Sequence, residues 1–233
     1  MFNYKLKLRN FLGNVLKDAN QIKWNKEISS EQIHYTLSMQ DLFLKTKDIP
    51  GHIIELGSGH GRNSIIFGSL IQKYSKDKIK HYFGFDAFEY NEEDLKFNES
   101  LNIDHFKYNQ NSYQEVQDKV KRNKLDDVVT LIKGDFKDTI KNFLNEDSKF
   151  FQKEKPLFSL IYVDCNSYHA TKFSLNALKY FIIDGAYIAI DESKQGDESK
   201  ALIEFAREND QQILSGNFGY QSHISSFIRW KSL

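Results

Sequence analysis

Four apolar runs in this chain lead to acids. Tyr82 to Phe85 stops at Asp86, Phe158 to Val163 at Asp164, and Tyr187 to Ile190 at Asp191-Glu192, while Val128 to Ile132 passes through Lys133-Gly134 to Asp135. Carboxylates in such positions can accept hydrogen bonds from hydroxyls, hold a hard cation or take up a proton. A fifth run, Ile53-Ile54-Glu55-Leu56, ends on three glycines at alternate positions, Gly57, Gly59 and Gly61. Beyond them Ile65, Ile66, Leu70, Ile71 and Tyr74 recur at helical spacing. A strand, a tight glycine turn and a helix together offer backbone N–H groups and a positive helix end to a ligand. The same glycines also suit a plain strand-to-helix turn.

Helical segments separate these runs. Ser112 and Glu115 have capping-box spacing ahead of a face built from Tyr113, Val116 and Val120. Ile140 and Phe143 mark a helix after Asp135. Ala170, Phe173, Ala177 and Phe181 suggest the apolar face of one after Asp164, and Ala201, Leu202 and Phe205 mark another. Ile183-Asp184-Gly185-Ala186 reads as the turn into the fifth strand, and two further strand candidates lie around Ile213-Leu214 and from Ile224 to Trp230. Strands alternating with helices predict an α/β fold, a doubly wound Rossmann-like sheet with helices on both faces. Ligands of such sheets bind outside the carboxyl ends of the strands, where these acids and glycines fall.

Residues 1–48 form a polar leader with two expected helices. Ser29 or Ser30 can cap the second, with Ile33, Leu37 and Leu44 on one face. The leader could be a lid, a homodimer contact or cover for a sheet edge. Asp48-Ile49-Pro50-Gly51 ends it, and residues 49–233 form the main domain. Residues 90–111 read as a polar loop or insertion.

Lysine plus arginine and aspartate plus glutamate balance at 32 each, which disfavours sequence-independent nucleic-acid binding. Cys165 is the only cysteine, so no disulfide framework or cysteine-based zinc site is available. No apolar run reaches membrane-spanning length, and Met1 to Arg9 lacks the apolar core of a signal peptide. A cytoplasmic enzyme acting on a small molecule, with no membrane or nucleic-acid partner, is the expectation.

The spacing Glu55-x-Gly57-x-Gly59-x-Gly61 resembles the first motif of class I S-adenosylmethionine-dependent methyltransferases. A dinucleotide fingerprint, and with it a nicotinamide dehydrogenase, would put the third glycine three positions after the second. Pro50 to Gly57, Phe85 to Glu89, Lys133 to Thr139 and Asp164-x-Asn166-x-Tyr168-x-x-Thr171 are similar to the macrocin O-methyltransferase family. Those enzymes methylate hydroxyls, typically on sugars of natural products. The resemblance runs from about Ile49 to Phe205, and the terminal strand candidates fit the antiparallel sixth and seventh strands of that class. It implies a seven-stranded sheet, mostly parallel, with an antiparallel C-terminal strand.

Carried over by position, the backbone at Gly57, Ser58 and Gly59 meets the cofactor's amino-acid portion, with Glu55 orienting the loop or the cofactor's ammonium. Asp86 accepts from the ribose hydroxyls, Asp135 lies near the adenine amino group, and Phe136 packs either on that ring or in the core. Arg62 and Asn63 are further candidates for a carboxylate contact. Asp164, Asp191 and Glu192 correspond to acids that hold Mg²⁺ in the family and would place an acceptor hydroxyl beside the sulfonium methyl. Two departures stand out. The family's Asp-x-Asp is Asp164-Cys165-Asn166 here, and its Asp-Asp pair is Asp191-Glu192. His169 is the candidate general base because its pKa lies near neutrality, and His60 is a lesser candidate near the cofactor. Asp164 and His169 are thus the expected catalytic pair. A metal-independent N-methyltransferase and a catalytically inactive binding subunit of the same fold are the alternatives.

Overall fold

The structure is a computed structural model that describes residues 29–75, 80–89, 112–145, 151, 155–191, 197–215, 224 and 226–232. Helices α1 (Ser30–Thr46), α2 (Arg62–Tyr74), α3 (Ser112–Arg122), α4 (Phe136–Leu144), α5 (Tyr168–Leu178) and α6 (Asp197–Glu208) surround one sheet. Its strands are β1 (His52–Leu56), β2 (Tyr82–Asp86), β3 (Val129–Lys133), β4 (Phe158–Val163), β5 (Ile182–Ile190), β6 (Ile213–Ser215) and β7 (Ser226–Arg229). The seven-stranded order is β3-β2-β1-β4-β5-β7-β6. Strands β1 to β5 pair in parallel, and β7 is antiparallel to both β5 and β6. Only β7 therefore runs against the rest. Among the described residues no helix is long and apolar enough to cross a membrane. The first leader helix, residues 90–111 and Glu192 lie outside the described residues.

Side chains alternate across the sheet and feed two cores. Ile53, Leu160, Tyr162 and Ala189 pack beneath α1, α2 and α3, with Tyr35, Met39, Phe43, Ile65, Phe67 and Val120. Ile54, Leu56, Ile161, Val163, Ile188 and Ile190 pack on the other face with Ile140, Phe143, Leu175, Leu178, Leu202 and Phe205 of α4, α5 and α6.

Three local expectations change. Helix α1 is capped by Ser29, in a capping box with Gln32, but its buried face is Tyr35, Met39, Leu42, Phe43 and Thr46, while Leu37 is 42% exposed. The large aromatic and methionine side chains outweigh the smaller apolar set at 33, 37 and 44. Helix α5 turns in Thr171, Ser174, Leu175 and Leu178. Its Ala170, Phe173 and Ala177 are only half-buried, because small polar residues allow close packing beneath it. Residues 183–186 lie within β5, as a bulge: Phe158 and Leu160 of β4 face Ile182 and Tyr187. The Gly185 N–H donates to Trp230 O at 2.8 Å, and the Trp230 N–H to Ala186 O at 2.8 Å, so β7 fastens the bulge.

At the amino edge, Lys80 is buried. Its Nζ donates to Ile49 O (3.0 Å), Gly51 O (2.7 Å) and Ser159 Oγ (2.6 Å), clamping the approach to β1 against β4.

Candidate active site at the carboxyl edge

The strand order reverses between β1 and β4, and their carboxyl ends touch. The Asp164 N–H donates to Leu56 O at 2.8 Å, and the glycine turn then crosses Asp164 so closely that a side chain at Gly57 has no room. Gly61, at φ 80°, is the N-cap of α2, with Val116 of α3 packed where a Cβ would stand.

The turn's own N–H groups are committed inside the fold. Those of Gly57 and Ser58 donate to Phe85 O at 2.8 and 3.1 Å, and that of Gly59 to Asp86 Oδ2 at 2.8 Å. Asp86 Oδ1 accepts from the Phe88 N–H at 2.6 Å. Asp86 thus ties the end of β2 to the glycine turn with one oxygen each way. A carboxylate has about four acceptor positions, so this anchoring is compatible with a vicinal diol as a further donor.

Glu55 is 1% exposed and lies under the turn. Its Oε1 accepts from Asn63 Nδ2 at 2.6 Å and its Oε2 from the Tyr82 hydroxyl. The Tyr35 hydroxyl donates to Asn63 Oδ1 at 2.9 Å, and Ser64 Oγ donates to the Tyr82 oxygen at 3.1 Å. Burial pushes the Glu55 carboxyl up to about 7, against the opposing pull of its bonds from Tyr82 and Asn63. Glu55 thus ties β1 to Asn63 of α2 and Tyr82 of β2. Asn63 is spent on the same network, which leaves Arg62 as the residue of that pair turned elsewhere.

The register pairs Val163 with Ile190, so Asp164 and Asp191 stand side by side at the ends of β4 and β5. The Tyr162 hydroxyl donates to Asp191 Oδ1. Burial, then the neighbouring charges of Asp191 and Glu198, drive the Asp164 carboxyl well above the usual range, and Arg62 only partly offsets them. Two oxygen donors whose charges repel each other suit a hard divalent cation. Among the described residues, however, no three His, Cys, Asp or Glu side chains group as a metal site. Glu192, the expected third ligand, is not among them.

Sequence reasoning missed Glu198 and Tyr35. Glu198, in the first turn of α6, accepts from the N–H groups of Cys165 and Asn166, the latter at 2.6 Å. It holds the turn after Asp164, in which Asn166 takes φ 53°. Burial raises the Glu198 carboxyl to about 7. Tyr35 reaches Asn63 and Arg62 from the leader, where only helical periodicity was readable.

The other expected residues are more ordinary locally. Asp135 caps α4, accepting from the Lys137 N–H at 2.7 Å. Phe136 packs against the core under α4, which favours the core reading of that ring. His169 is exposed on the first turn of α5, edge-on to Tyr168 at 5.1 Å between ring centroids. The Cys165 thiol is raised by burial and by Glu198 and lies 3.3 Å from Thr171 Oγ1, so it is not poised as a nucleophile. The His60 carbonyl accepts from Lys119 Nζ at 3.2 Å.

A doubly wound sheet with a closing antiparallel strand, a glycine turn at the switch point and an acid on the neighbouring strand define the class of S-adenosylmethionine-dependent methyltransferases. A family profile described as "Methyltransferase domain" matches residues 54–193, more than half of the chain, and the chain belongs to that family. Its fold is similar to that of CalS11, solved without ligand and described as a TDP-rhamnose 3'-O-methyltransferase of calicheamicin biosynthesis. That likeness has 20% identity and a TM-score of 0.68, covering 96% of this chain and 94% of that one. The O-methyltransferase NovP is similar over 98% of this chain and 99% of its own, with 14% identity and a TM-score of 0.68. An O-methyltransferase from Bacillus cereus, solved with S-adenosylhomocysteine (SAH), gives 15% identity and a TM-score of 0.55 over 94% and 89% of the two chains. At these identities the likeness is one of fold. A sequence search of curated proteins gave no match.

Proposed function

We propose that this methyltransferase transfers its methyl group to a hydroxyl of a small polyhydroxylated molecule, a sugar or sugar nucleotide, as the macrocin O-methyltransferases do. The carrying observation is the pair Asp164 and Asp191 on adjacent strand ends, directly beside the glycine turn. Full-length neighbours named as O-methyltransferases support the reading, and the TDP-rhamnose of one of them sets the first acceptors to try.

In the proposed reaction Asp86 would accept from the ribose hydroxyls of S-adenosylmethionine, and Asp164 and Asp191 would serve the acceptor hydroxyl. The acceptor oxygen attacks the methyl carbon in line. The C–O bond forms as the C–S bond breaks, SAH leaves, and the hydroxyl proton passes to a base. His169 or water takes the proton, and no covalent enzyme intermediate is needed. Asp164 and Asp191, with Glu192, would hold Mg²⁺, which would lower the pKa of the acceptor hydroxyl. Tyr162 holds Asp191 in place, and Glu198 holds the turn that follows Asp164.

The test is methyl transfer from S-adenosylmethionine to a panel of dTDP-sugars, followed by SAH release. Loss of turnover in EDTA, its recovery with Mg²⁺, and its loss in Asp164→Asn are expected. Turnover unaffected by EDTA would overturn the metal assignment. Transfer only to amino sugars, on nitrogen, would overturn the O-methyl assignment.

A further inference from the structure

Arg62 opens α2 at the glycine turn, and its guanidinium lies 3.4 Å from the centroid of the Tyr35 ring. That stacking is its closest engagement, and among the described residues no oxygen accepts a hydrogen bond from it. It is half-buried, and burial opposes its charge. The surrounding fields of Tyr35, Asp164, Tyr162 and Asp191 outweigh that cost and keep it ionised. A half-buried guanidinium with no protein acceptor is free to take one from a ligand. Asn63 beside it cannot compete for such a ligand, because both ends of its amide are bonded to Tyr35 and Glu55. The platform under Arg62 is itself fixed, since Tyr35 is buried and its hydroxyl is spent on Asn63.

We infer that Arg62, propped on Tyr35, is a carboxylate receptor beside the glycine turn. A planar fork of donors matches a carboxylate through two parallel bonds, a geometry that lysine does not reproduce. It opens α2 directly after the glycine turn, and the fields of Asp164 and Asp191 reach it. Two carboxylates can arrive there: that of the cofactor's amino-acid portion, or that of an acidic acceptor such as a hexuronate. The inference rests on the cofactor assignment above.

Calorimetry on the full-length protein separates these sources. The probes are SAH, its decarboxylated analogue, and glucuronate or glucose added to the SAH complex. If the cofactor supplies the carboxylate, Arg62→Gln weakens SAH by at least about tenfold and leaves the decarboxylated analogue within about twofold. Arg62→Lys recovers only part of the loss. If the acceptor supplies it, SAH binds both proteins alike, and glucuronate binding to the SAH complex disappears in Arg62→Gln. Tyr35→Leu, which removes the platform, reproduces the Arg62→Gln pattern, whereas Tyr35→Phe keeps the ring and the selectivity. Equal binding of SAH and of glucuronate by wild type and Arg62→Gln overturns the inference while sparing the cofactor assignment. Equal weakening of SAH and its decarboxylated analogue overturns it too, because that marks a collapsed turn. A wild-type protein that binds no SAH overturns both.

Discussion

The backbone carbonyl oxygen of Asp164 lies 2.0 Å from the point where a Cβ on Gly57 would stand. The glycine turn and the backbone of Asp164, the proposed catalytic acid, are therefore packed directly against each other. Gly57 also holds φ 97°. Gly57→Ala adds a collision with rigid backbone to left-handed strain, and a loss of about 3 kcal/mol in urea unfolding is expected. Gly185→Ala, at φ 81° with open space around it, carries the conformational cost alone, about 1 kcal/mol.

Glu55 gives stability a pH dependence. Its folded carboxyl titrates near 7 against an ordinary 4.5, so between those values the folded chain holds more protons than the unfolded one. Its contribution therefore declines as pH rises from about 4.5 to about 7, by about 3 kcal/mol across that window. Glu55→Gln should remove this part of the slope. Denaturant titrations at pH 5 and pH 7 measure it, and identical slopes for wild type and variant would contradict the expectation.

Glu198→Ala removes the shared acceptor of the Cys165 and Asn166 N–H groups at the Asp164 turn. A loss of about 2 kcal/mol is expected, with turnover falling more than SAH affinity, since Glu198 supports the acid end and not the glycine turn. Glu198→Gln keeps an acceptor oxygen and should recover most of the stability. Thermal melts and paired kcat and SAH titrations distinguish the two effects.

Lys80→Met tests the opposite edge. It leaves Ile49 O, Gly51 O and Ser159 Oγ without their shared donor, and about 3 kcal/mol of destabilisation should follow. SAH affinity should stay unchanged in the folded protein, because the clamp and the cofactor turn lie at opposite ends of β1.

The strands and the strand-end acids were readable because each strand is a short apolar run closed by a charged or glycine residue. Strand β4 matches its apolar run, Phe158 to Val163, residue for residue. Helix faces were less legible. In α5 the buried stripe includes Thr171 and Ser174, which hydrophobic periodicity discards. The bulge at Gly185 resembled a turn, since a glycine after an aspartate signals either one. Within the site, Asp86 and Asp164 could be placed from strand register alone. Tyr35 and Glu198 could not, because they reach the cleft from helices whose approach is set by packing between distant segments.

Helix α1 also gives the cleft a remote readout. Its Tyr35 is at once the platform for Arg62 and a partner of Asn63, so whatever settles on Arg62 must also steady α1, and the reverse holds by linkage. A carboxylate seated on Arg62 should therefore be visible along α1, as slower amide exchange over residues 35–46 when SAH, or glucuronate together with SAH, is added.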